Sequence, residues 1–152
     1  EIYTLSLHDA LPISSWNTGI TLYNKVSGPD GPTYHRAYLY GVMWQDVHGV
    51  SPESEGLVVS DHTDIFIPFT VTSQKNYALP KIFDAVSDKK NIFTLKPGDL
   101  IVKGIINFEL TGEKGKNEKA LLNTHDNVRV VKAVDTCDYG SGDMRHWEVV
   151  AV

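Results

Sequence analysis

The stretch SDHTD, residues 60–64, holds serine, aspartate and histidine, the residue types of a hydrolytic catalytic triad. Successive side chains on a β-strand point to opposite faces, so direct neighbours cannot converge into such a triad. Asp61 could share a face with Thr63, and His62 could share one with Asp64. Polar residues of this kind are common in loops and where a strand begins. We therefore predict no catalytic residue in this stretch.

A second pair, His125 and Asp126, lies in the stretch NTHDN and could offer two ligands to a metal ion. A metal site needs three or four convergent ligands, and the sequence has no second group of ligands at a recognised spacing. Asparagine and aspartate favour turns, so the stretch predicts a turn before a strand. We predict no metal site and no cofactor-binding residue, since the sequence also lacks the glycine-rich patterns that bind phosphate.

The chain has one cysteine, Cys137, which excludes an internal disulfide framework, and we expect no cysteine-based zinc site. Asp135 and Asp138 should raise the pKa of its thiol, whereas a nucleophilic cysteine needs a lowered pKa. The residue is therefore predicted to be a semi-buried structural cysteine. The low cysteine content fits a cytosolic setting.

Six aromatic side chains could form a platform on which sugar rings stack. Aromatic residues also dominate ordinary cores and subunit interfaces, and no companion motif for sugar binding accompanies them. We favour a role in the core and at interfaces and keep carbohydrate binding as the alternative. The six residues are Trp16, Trp44, Trp147, Tyr34, Tyr38 and Tyr40.

The opening stretch EIYTLSLHDALPIS has neither the positive start nor the continuous apolar core of a signal peptide. Residues 1–13 resemble one reading frame of the Illumina sequencing adapter, without a mismatch. We therefore expect residues 1–14 to be a non-native leader, and we assign no function to His8 and Asp9. Residues 15–152 then suit a single domain with a sizeable core.

The charge balance is mildly acidic, with 14 basic and 19 acidic residues and a formal net charge of −5. Without Glu1 and Asp9 the acidic residues number 17, which leaves a net charge near −3. A dedicated nucleic-acid binder would carry a basic face, so the composition argues against that class, although DNA could still pass by the protein. No apolar run approaches the roughly 20 residues that a transmembrane helix needs.

The first half of the chain predicts a long β-hairpin around the turn-rich SGPDGP at residues 27–32. Gly19–Tyr23 precedes the turn as a short β-prone stretch. Residues Gln45–Gly56 are polar and interrupted by proline and glycine, so they predict a mobile loop. Alternation after the turn places Tyr34, Arg36, Tyr38, Tyr40 and Val42 on one face, and Ala37, Leu39, Gly41 and Met43 on the other.

The middle of the chain predicts one or two strands over residues 57–71 and then a short helix. Pro68 should mark an edge or a strand end, because proline cannot donate to a ladder. The helix candidate LPKIFDAVSDKK has Pro80 in its first turn, where a missing N–H is harmless. Ile82, Phe83 and Val86 should share its apolar face and close one end of a β-core.

Lys96-Pro97-Gly98-Asp99 predicts a type II turn, with proline and glycine at its central positions. The charged stretch Gly112–Asn123 predicts a loop excursion with a partial helical turn. Further strands are expected at Leu100–Ile106, Val128–Val134 and His146–Val152, the last two joined by a glycine-rich turn at residues 140–142. About seven short strands and one short helix indicate an all-β fold, a small antiparallel β-barrel or sandwich with extended loops.

Two motifs are the most specific in the chain: L-x-PGD-x-IVKG in its centre and DYGS…M-x-HWEV near its end, with Arg145 in the variable place before His146. They are accompanied by ITLYNK, YLYGVMW, FIPF and FELTG. Together these segments, spread over nearly all of residues 18–150, resemble an uncharacterised family of small proteins. Its members are encoded in tailed bacteriophages and prophages of Firmicutes, among the genes for head–tail morphogenesis.

The resemblance implies a structural virion protein without catalytic residues, a head–tail connector component of the head-completion (stopper) or joining type. It would form a homo-oligomeric ring around the DNA channel, contact neighbouring connector or tail proteins, meet DNA only non-specifically and assemble in the bacterial host cytoplasm. The loops at 27–32 and 45–56 and the excursion Gly112–Asn123 would reach neighbours. A minor tail or decoration protein remains an alternative, as does a small β-fold enzyme or carbohydrate-binding module.

Overall fold

The computed structural model describes residues 13–54 and 56–152, so most of the predicted leader at residues 1–14 lies outside the described part. Eight β-strands and two helices are present in these residues, after a 3-10 turn at Ile13–Ser15. One helix lies where the short helix was predicted, and the other lies in the excursion for which a partial helical turn was expected. The strands are β1 (Thr18–Val26), β2 (Thr33–Glu53), β3 (Gly56–Pro68), β4 (Asn76–Tyr77), β5 (Ile92–Phe93), β6 (Leu100–Lys103), β7 (Val128–Cys137) and β8 (His146–Ala151), and the helices are α1 (Pro80–Ala85) and α2 (Glu118–Thr124).

Six of the strands close into an antiparallel barrel in the order β1-β2-β3-β8-β7-β6. Pairing of β6 with β1 completes the circuit, whereas β4 and β5 form a separate two-stranded parallel sheet. This architecture confirms the all-β class and selects the barrel over the sandwich. Among the described residues, no helix is long and apolar enough to cross a membrane.

The barrel interior is filled by apolar side chains from all six barrel strands. Inward and outward positions alternate along each strand, because successive side chains point to opposite faces. Full burial of a large aliphatic side chain stabilises the fold by about 1.5–3 kcal/mol. The inward residues of the strands are Ile20, Leu22, Ala37, Leu39, Val42, Ile65, Ile67, Ile101, Val131, Trp147, Val149 and Ala151.

Strand β2 changes its inward face at Gly41. Strand β1 pairs Thr18 with Val42 but Gly19 with Tyr40, so Gly41 is an extra residue in a β-bulge. Its φ of +88° is a conformation that glycine adopts without a steric penalty. The bulge turns Val42 into the barrel core. The prediction that Val42 shares a face with Tyr40 was therefore wrong.

Beyond the barrel, β2 and β3 continue as a two-stranded ribbon whose paired residues are 47–53 and 56–62, and we call this segment of residues 47–62 the arm. The ladder between the two strands runs without interruption from Met43 opposite Phe66 to Glu53 opposite Gly56. The prediction of a mobile loop at residues 45–56 was therefore wrong. The sequence there is broken by proline and glycine, but a ribbon with unpaired edges needs no donor at every position and tolerates both.

The crossover between β3 and β6 covers the barrel end opposite the arm. It places Phe93 and Leu95 in the barrel core. Helix α1 packs Phe83 against His35, near the start of β2, with 5.9 Å between the ring centroids. This position agrees with the prediction that the helix closes one end of the β-core.

Helix α1 buries a narrower face than the sequence suggested. Pro80 occupies the first turn, as predicted, and Phe83 is fully buried. Ile82 and Val86, however, are exposed. The helix ends at Ala85, and Val86 is already extended. The helical spacing that would bring Val86 onto the face of Phe83 therefore does not apply.

The predicted type II turn at Lys96–Asp99 is confirmed, because the Asp99 N–H donates to the Lys96 carbonyl at 3.3 Å and Gly98 has a φ of +94°. The turn presents the carboxylate of Asp99, which is fully buried. It accepts hydrogen bonds from Asn24 Nδ2 at 2.7 Å, from the backbone N–H of Lys25 at 2.9 Å, and from the backbone N–H and Nζ of Lys96 at 3.1 and 2.9 Å. Burial raises the pKa of Asp99, and these donors offset that effect only in part.

Residues 105–125 cover the outward face of β1, β6 and β7. Helix α2 begins after Asn117, whose side chain accepts a hydrogen bond from the Ala120 N–H at 2.9 Å. Its Leu121 is fully buried in a second apolar cluster. The predicted excursion Gly112–Asn123 therefore packs back on the barrel through its helical half. The cluster comprises Tyr23, Leu100, Val102, Leu110, Leu121 and Val128.

Candidate functional site

Polar side chains gather at an open cleft of about 260 Å³ where the arm leaves the barrel. The strands carry their inward face beyond the apolar core, so the alternation that buries Ile65 also places Thr63 and Asp61 on the inner side of the arm. The cleft is lined by Asp46, His48, Asp61, His62, Thr63, Arg129 and Val152.

A hydrogen-bonded network joins the arm to the barrel at this cleft. The Thr63 hydroxyl donates to Asp46 Oδ1 at 2.7 Å, and Arg129 Nε donates to the Thr63 hydroxyl oxygen at 2.9 Å. Trp44 Nε1 also donates to Asp46 Oδ1, at 3.1 Å. The ring of Trp44 has the charged groups of Arg129 and Lys103 at 5.8 and 5.9 Å from its centroid. The network therefore links β2, β3 and β7 at one point.

The electrostatic environment of Asp46 does not fit the role of a general base. Burial acts to raise the pKa of Asp46, but the hydrogen bonds from Thr63 and Trp44 and the charges of Arg129 and Lys103 outweigh it and hold the pKa below its ordinary value. A general base works best with a pKa near the operating pH. Because the Thr63 hydroxyl is buried and already donates to Asp46, it is not presented to a substrate.

The predicted sharing of faces within SDHTD is confirmed, but the stretch lies in the middle of β3 and not at a strand entrance. His62 Nε2 lies 3.4 Å from Asp64 Oδ1. Asp61 instead lies on the inner side of the arm, where its carboxylate is 3.2 Å from His48 Nδ1. The His48 and Asp61 side chains are exposed, and such surface pairs contribute about 0–1 kcal/mol to stability.

The stretch NTHDN forms the predicted turn. His125 follows the last residue of α2, with its Nδ1 2.9 Å from the Thr124 hydroxyl and its ring 5.7 Å from that of Phe108. Asn127 then adopts a φ of +56° before β7 begins. In the part of the chain that the structure describes, no third potential ligand joins His125 and Asp126.

The six aromatic residues do not form one exposed platform. Trp16 and Trp147 are buried. The hydroxyls of Tyr34 and Tyr38 each donate a 2.7 Å hydrogen bond, to Glu118 Oε1 and to the Ile106 carbonyl. Tyr40 is 44% exposed, and Trp44 is partly buried against the barrel core. This arrangement agrees with the core role that the sequence favoured.

A third group, which sequence reasoning missed, lies on the outward face of β7 and β8. Cys137, His146 and Glu148 place one potential ligand atom each within 4.8 Å of the others. Cys137 and His146 are direct partners in the ladder between the two strands. Glu148 lies two residues further along β8 and therefore points to the same side. The available signal was a cysteine and an H-x-E triplet on either side of a predicted hairpin turn.

Cys137 is not an activated nucleophile. Burial raises the pKa of its thiol, and the nearby carboxylates of Glu148 and Asp135 raise it further. The predicted direction is confirmed, although burial is the larger cause. The predicted structural role agrees with the burial of the residue.

A known family matches residues 15–152, which is the whole of the predicted domain. The chain belongs to the family of unknown function DUF6751. This family membership agrees with the uncharacterised family expected from the motifs, and its description names no activity. No curated protein and no solved structure matches the chain.

Proposed function

We propose that the chain is a structural subunit of a tailed-bacteriophage virion, without enzymatic activity. In this proposal it is a head–tail connector component, of the head-completion or joining type, that forms a ring around the DNA channel. It assembles in the host cytoplasm and contacts neighbouring connector or tail proteins. The proposed phage context rests on the resemblance of the sequence motifs. The physical argument for assembly rests on the arm that extends beyond the barrel.

The observation that carries the proposal is the arm. Residues 47–53 and 56–62 form a two-stranded ribbon that β8 does not extend, since β8 pairs with β3 only from Thr63 onward. A lone two-stranded hairpin is marginally stable in water, and its unpaired edges are templates for contact with another chain. Val50 on the arm is 61% exposed. An arm of this kind gains stability by lying on a partner.

A second surface of the same molecule suits the arm in charge and polarity. Leu79, Ile82 and Val86 are exposed apolar side chains on and beside α1, and we call them the α1 patch. Four lysines outnumber two aspartates between residues 75 and 90. Residues 47–62 carry three acidic residues and no lysine or arginine. The acidic arm of one copy is therefore complementary to the α1 patch of the next.

The positions of the two surfaces favour assembly through unlike faces. Helix α1, which carries the α1 patch, contacts His35 near the start of β2 through Phe83, and the arm begins at Val47 on the same strand. At about 3.3 Å per residue, these positions are separated by about 40 Å. Contacts between unlike surfaces generate a ring when the rotation between copies closes. The mildly acidic composition suits a channel wall along which DNA slides, because a cationic wall would bind phosphate.

A charge-exchange experiment tests the proposed contact. Asp61→Lys on the arm and Lys81→Glu beside the α1 patch should each weaken assembly, and the double variant should restore it. The measurement is the distribution of oligomers by native mass spectrometry, for the full chain alone and co-produced with the products of its flanking genes. Lys132→Glu, on the exposed surface of β7, is the control and should leave assembly unchanged.

Two results would refute this proposal. One is a protein that stays monomeric alone and with its neighbours. The other is an assembly in which the single variants and the control behave alike. The order of genes around the coding sequence is an independent test, because genes unrelated to virion morphogenesis would remove the phage context.

A further inference from the structure

Cys137, His146 and Glu148 present a thiol, an imidazole and a carboxylate on one side of the β7–β8 hairpin. We propose that these three side chains bind a Zn²⁺ ion and leave a fourth position open to water or another ligand. The proposed site lies on the outer surface of the barrel. Its existence does not depend on the assembly function proposed above.

The spacing of the three ligand atoms suits a tetrahedral zinc site. Bond lengths of about 2.3 Å to sulfur and about 2.0–2.1 Å to nitrogen and oxygen place ligand atoms about 3.3–3.6 Å apart. His146 Nε2 and Glu148 Oε1 are already 3.1 Å apart. All three ligand atoms lie within 4.8 Å of one another, so side-chain shifts of about 1 Å suffice to enclose an ion.

The hydrogen bonding of His146 directs its second nitrogen into the cluster. Its Nδ1 lies 2.8 Å from the Met144 carbonyl oxygen. A carbonyl oxygen can only accept, so Nδ1 carries a hydrogen and Nε2 is the nitrogen that faces the cluster, where a bound ion would replace the hydrogen that Nε2 shares with the Glu148 carboxylate. Nε2 faces the Glu148 carboxylate at 3.1 Å. A histidine that binds a metal is commonly oriented in this way by a backbone carbonyl.

The surroundings hold the ligands in place. Cys137 and His146 are fixed by strand register rather than by a loop. The rings of Trp16 and Phe66 pack on the His146 imidazole, with centroids 5.8 and 6.2 Å from it. The Glu148 side chain is 35% exposed, which leaves the cluster accessible to an incoming ion.

The chemistry of the ligands favours zinc over the hard cations. Mg²⁺ and Ca²⁺ take oxygen ligands, whereas this cluster offers one sulfur, one nitrogen and one oxygen. Zn²⁺ binds all three atom types and commonly keeps three protein ligands plus one exchangeable position. The site therefore resembles open zinc sites more closely than fully enclosed ones.

The test uses the full chain purified without a polyhistidine tag. Zinc content after gel filtration is measured by elemental analysis, and Co²⁺ is added to the metal-free protein as a spectroscopic probe. Because Cys137 is the one cysteine of the chain, a thiolate-to-cobalt charge-transfer band identifies it as a ligand without any variant. We expect that band, tetrahedral visible absorption and one zinc ion per chain.

Variants then assign the remaining ligands. Cys137→Ser and Glu148→Gln should each weaken zinc binding by at least about tenfold, whereas Asp138→Asn, next to the cluster, should leave it unchanged. Circular dichroism of the metal-free variants checks their folding. The proposal fails if the unaltered chain takes up no zinc, if bound cobalt shows no thiolate band, or if folded Cys137→Ser and Glu148→Gln bind zinc as the unaltered chain does.

Discussion

The two ends of the barrel each hold an aspartate in a hydrogen-bonded network, but the two networks differ in their access to water. At the end covered by α1, Asp99 is fully buried and accepts four hydrogen bonds. At the arm end, Asp46 accepts from Thr63 and Trp44 while 41% of its side chain stays exposed. Hydrogen-bond donors therefore surround both carboxylates, but Asp99 lies away from water and Asp46 is partly in contact with it.

This difference separates a stabilising network from a positioning one. Removing a buried carboxylate leaves its donors without partners and without water, which costs several kcal/mol. Removing a half-exposed one lets solvent take over the lost hydrogen bonds. The α1 end should therefore determine global stability, whereas the arm end should determine how firmly the arm is held. The first network supports the barrel, and the second supports the proposed contact between copies.

The largest expected effect is that of Asp99→Ala, which should lower the free energy of unfolding by about 3–5 kcal/mol. It leaves Asn24 and Lys96 facing a buried gap. The measurement is urea denaturation followed by tryptophan fluorescence. Asp46→Ala is the matched variant at the other end and should lower the free energy by about 1 kcal/mol. Equal losses would show that burial does not distinguish the two networks.

A smaller effect is expected for Gly98→Val, about 2 kcal/mol of destabilisation. Gly98 has a φ of +94°, which a β-branched residue adopts only with strain. The substitution should displace the turn that presents Asp99. Gly142→Val is the control, since Gly142 lies in open space without a positive φ. The two melting temperatures, measured by circular dichroism, should differ by several degrees. Indistinguishable values would show that the conformation of this turn does not contribute to stability.

Thr63→Val should lower global stability by only about 1 kcal/mol but should loosen the arm. The substitution preserves the shape of a buried side chain and removes the hydroxyl that links Asp46 to Arg129. Hydrogen exchange should quicken in residues 47–62 and stay unchanged in β7 and β8. Faster hydrogen exchange over the whole barrel would show that the network stabilises the entire fold and not the arm alone.

The smallest effect concerns pH. The pKa of Asp46 is held below its ordinary value of 3.8, so the stability that its ionised form contributes is present above that pH and lost as the pH falls through the folded-state pKa. Asp46→Asn should therefore reduce the acid-induced loss of stability between pH 4 and pH 2, by well under about 1 kcal/mol. An unchanged pH profile would show that the charge of Asp46 contributes nothing to the network.

Much of the barrel could be predicted from local chemistry. The stretch 57–71 was correctly predicted to hold strand structure, which is β3, and the Pro97-Gly98 pair identified its turn type. Alternation alone does not reveal a bulge, and for this reason the face of Val42 was misassigned at Gly41. The arm was missed because its sequence is polar and interrupted, and its strand conformation depends on pairing with a distant stretch.

The candidate sites depended on information that local sequence does not carry. The network of Asp46, Thr63 and Arg129 draws on three strands that only the barrel brings together. The Cys137, His146 and Glu148 cluster arises from the register between β7 and β8. Metal sites are recognised in a sequence by the spacing of their ligands along the chain. Ligands that meet only because two strands pair have no such spacing.

The central claim is that the arm of one copy lies on the α1 patch of the next. Electron cryo-microscopy of the full chain, co-produced with the products of its flanking genes, tests it most directly. The account predicts a closed ring in which residues 47–62 contact Leu79, Ile82 and Val86 of the neighbouring copy. A ring whose copies meet through other surfaces, with the arms projecting into solvent, would contradict it.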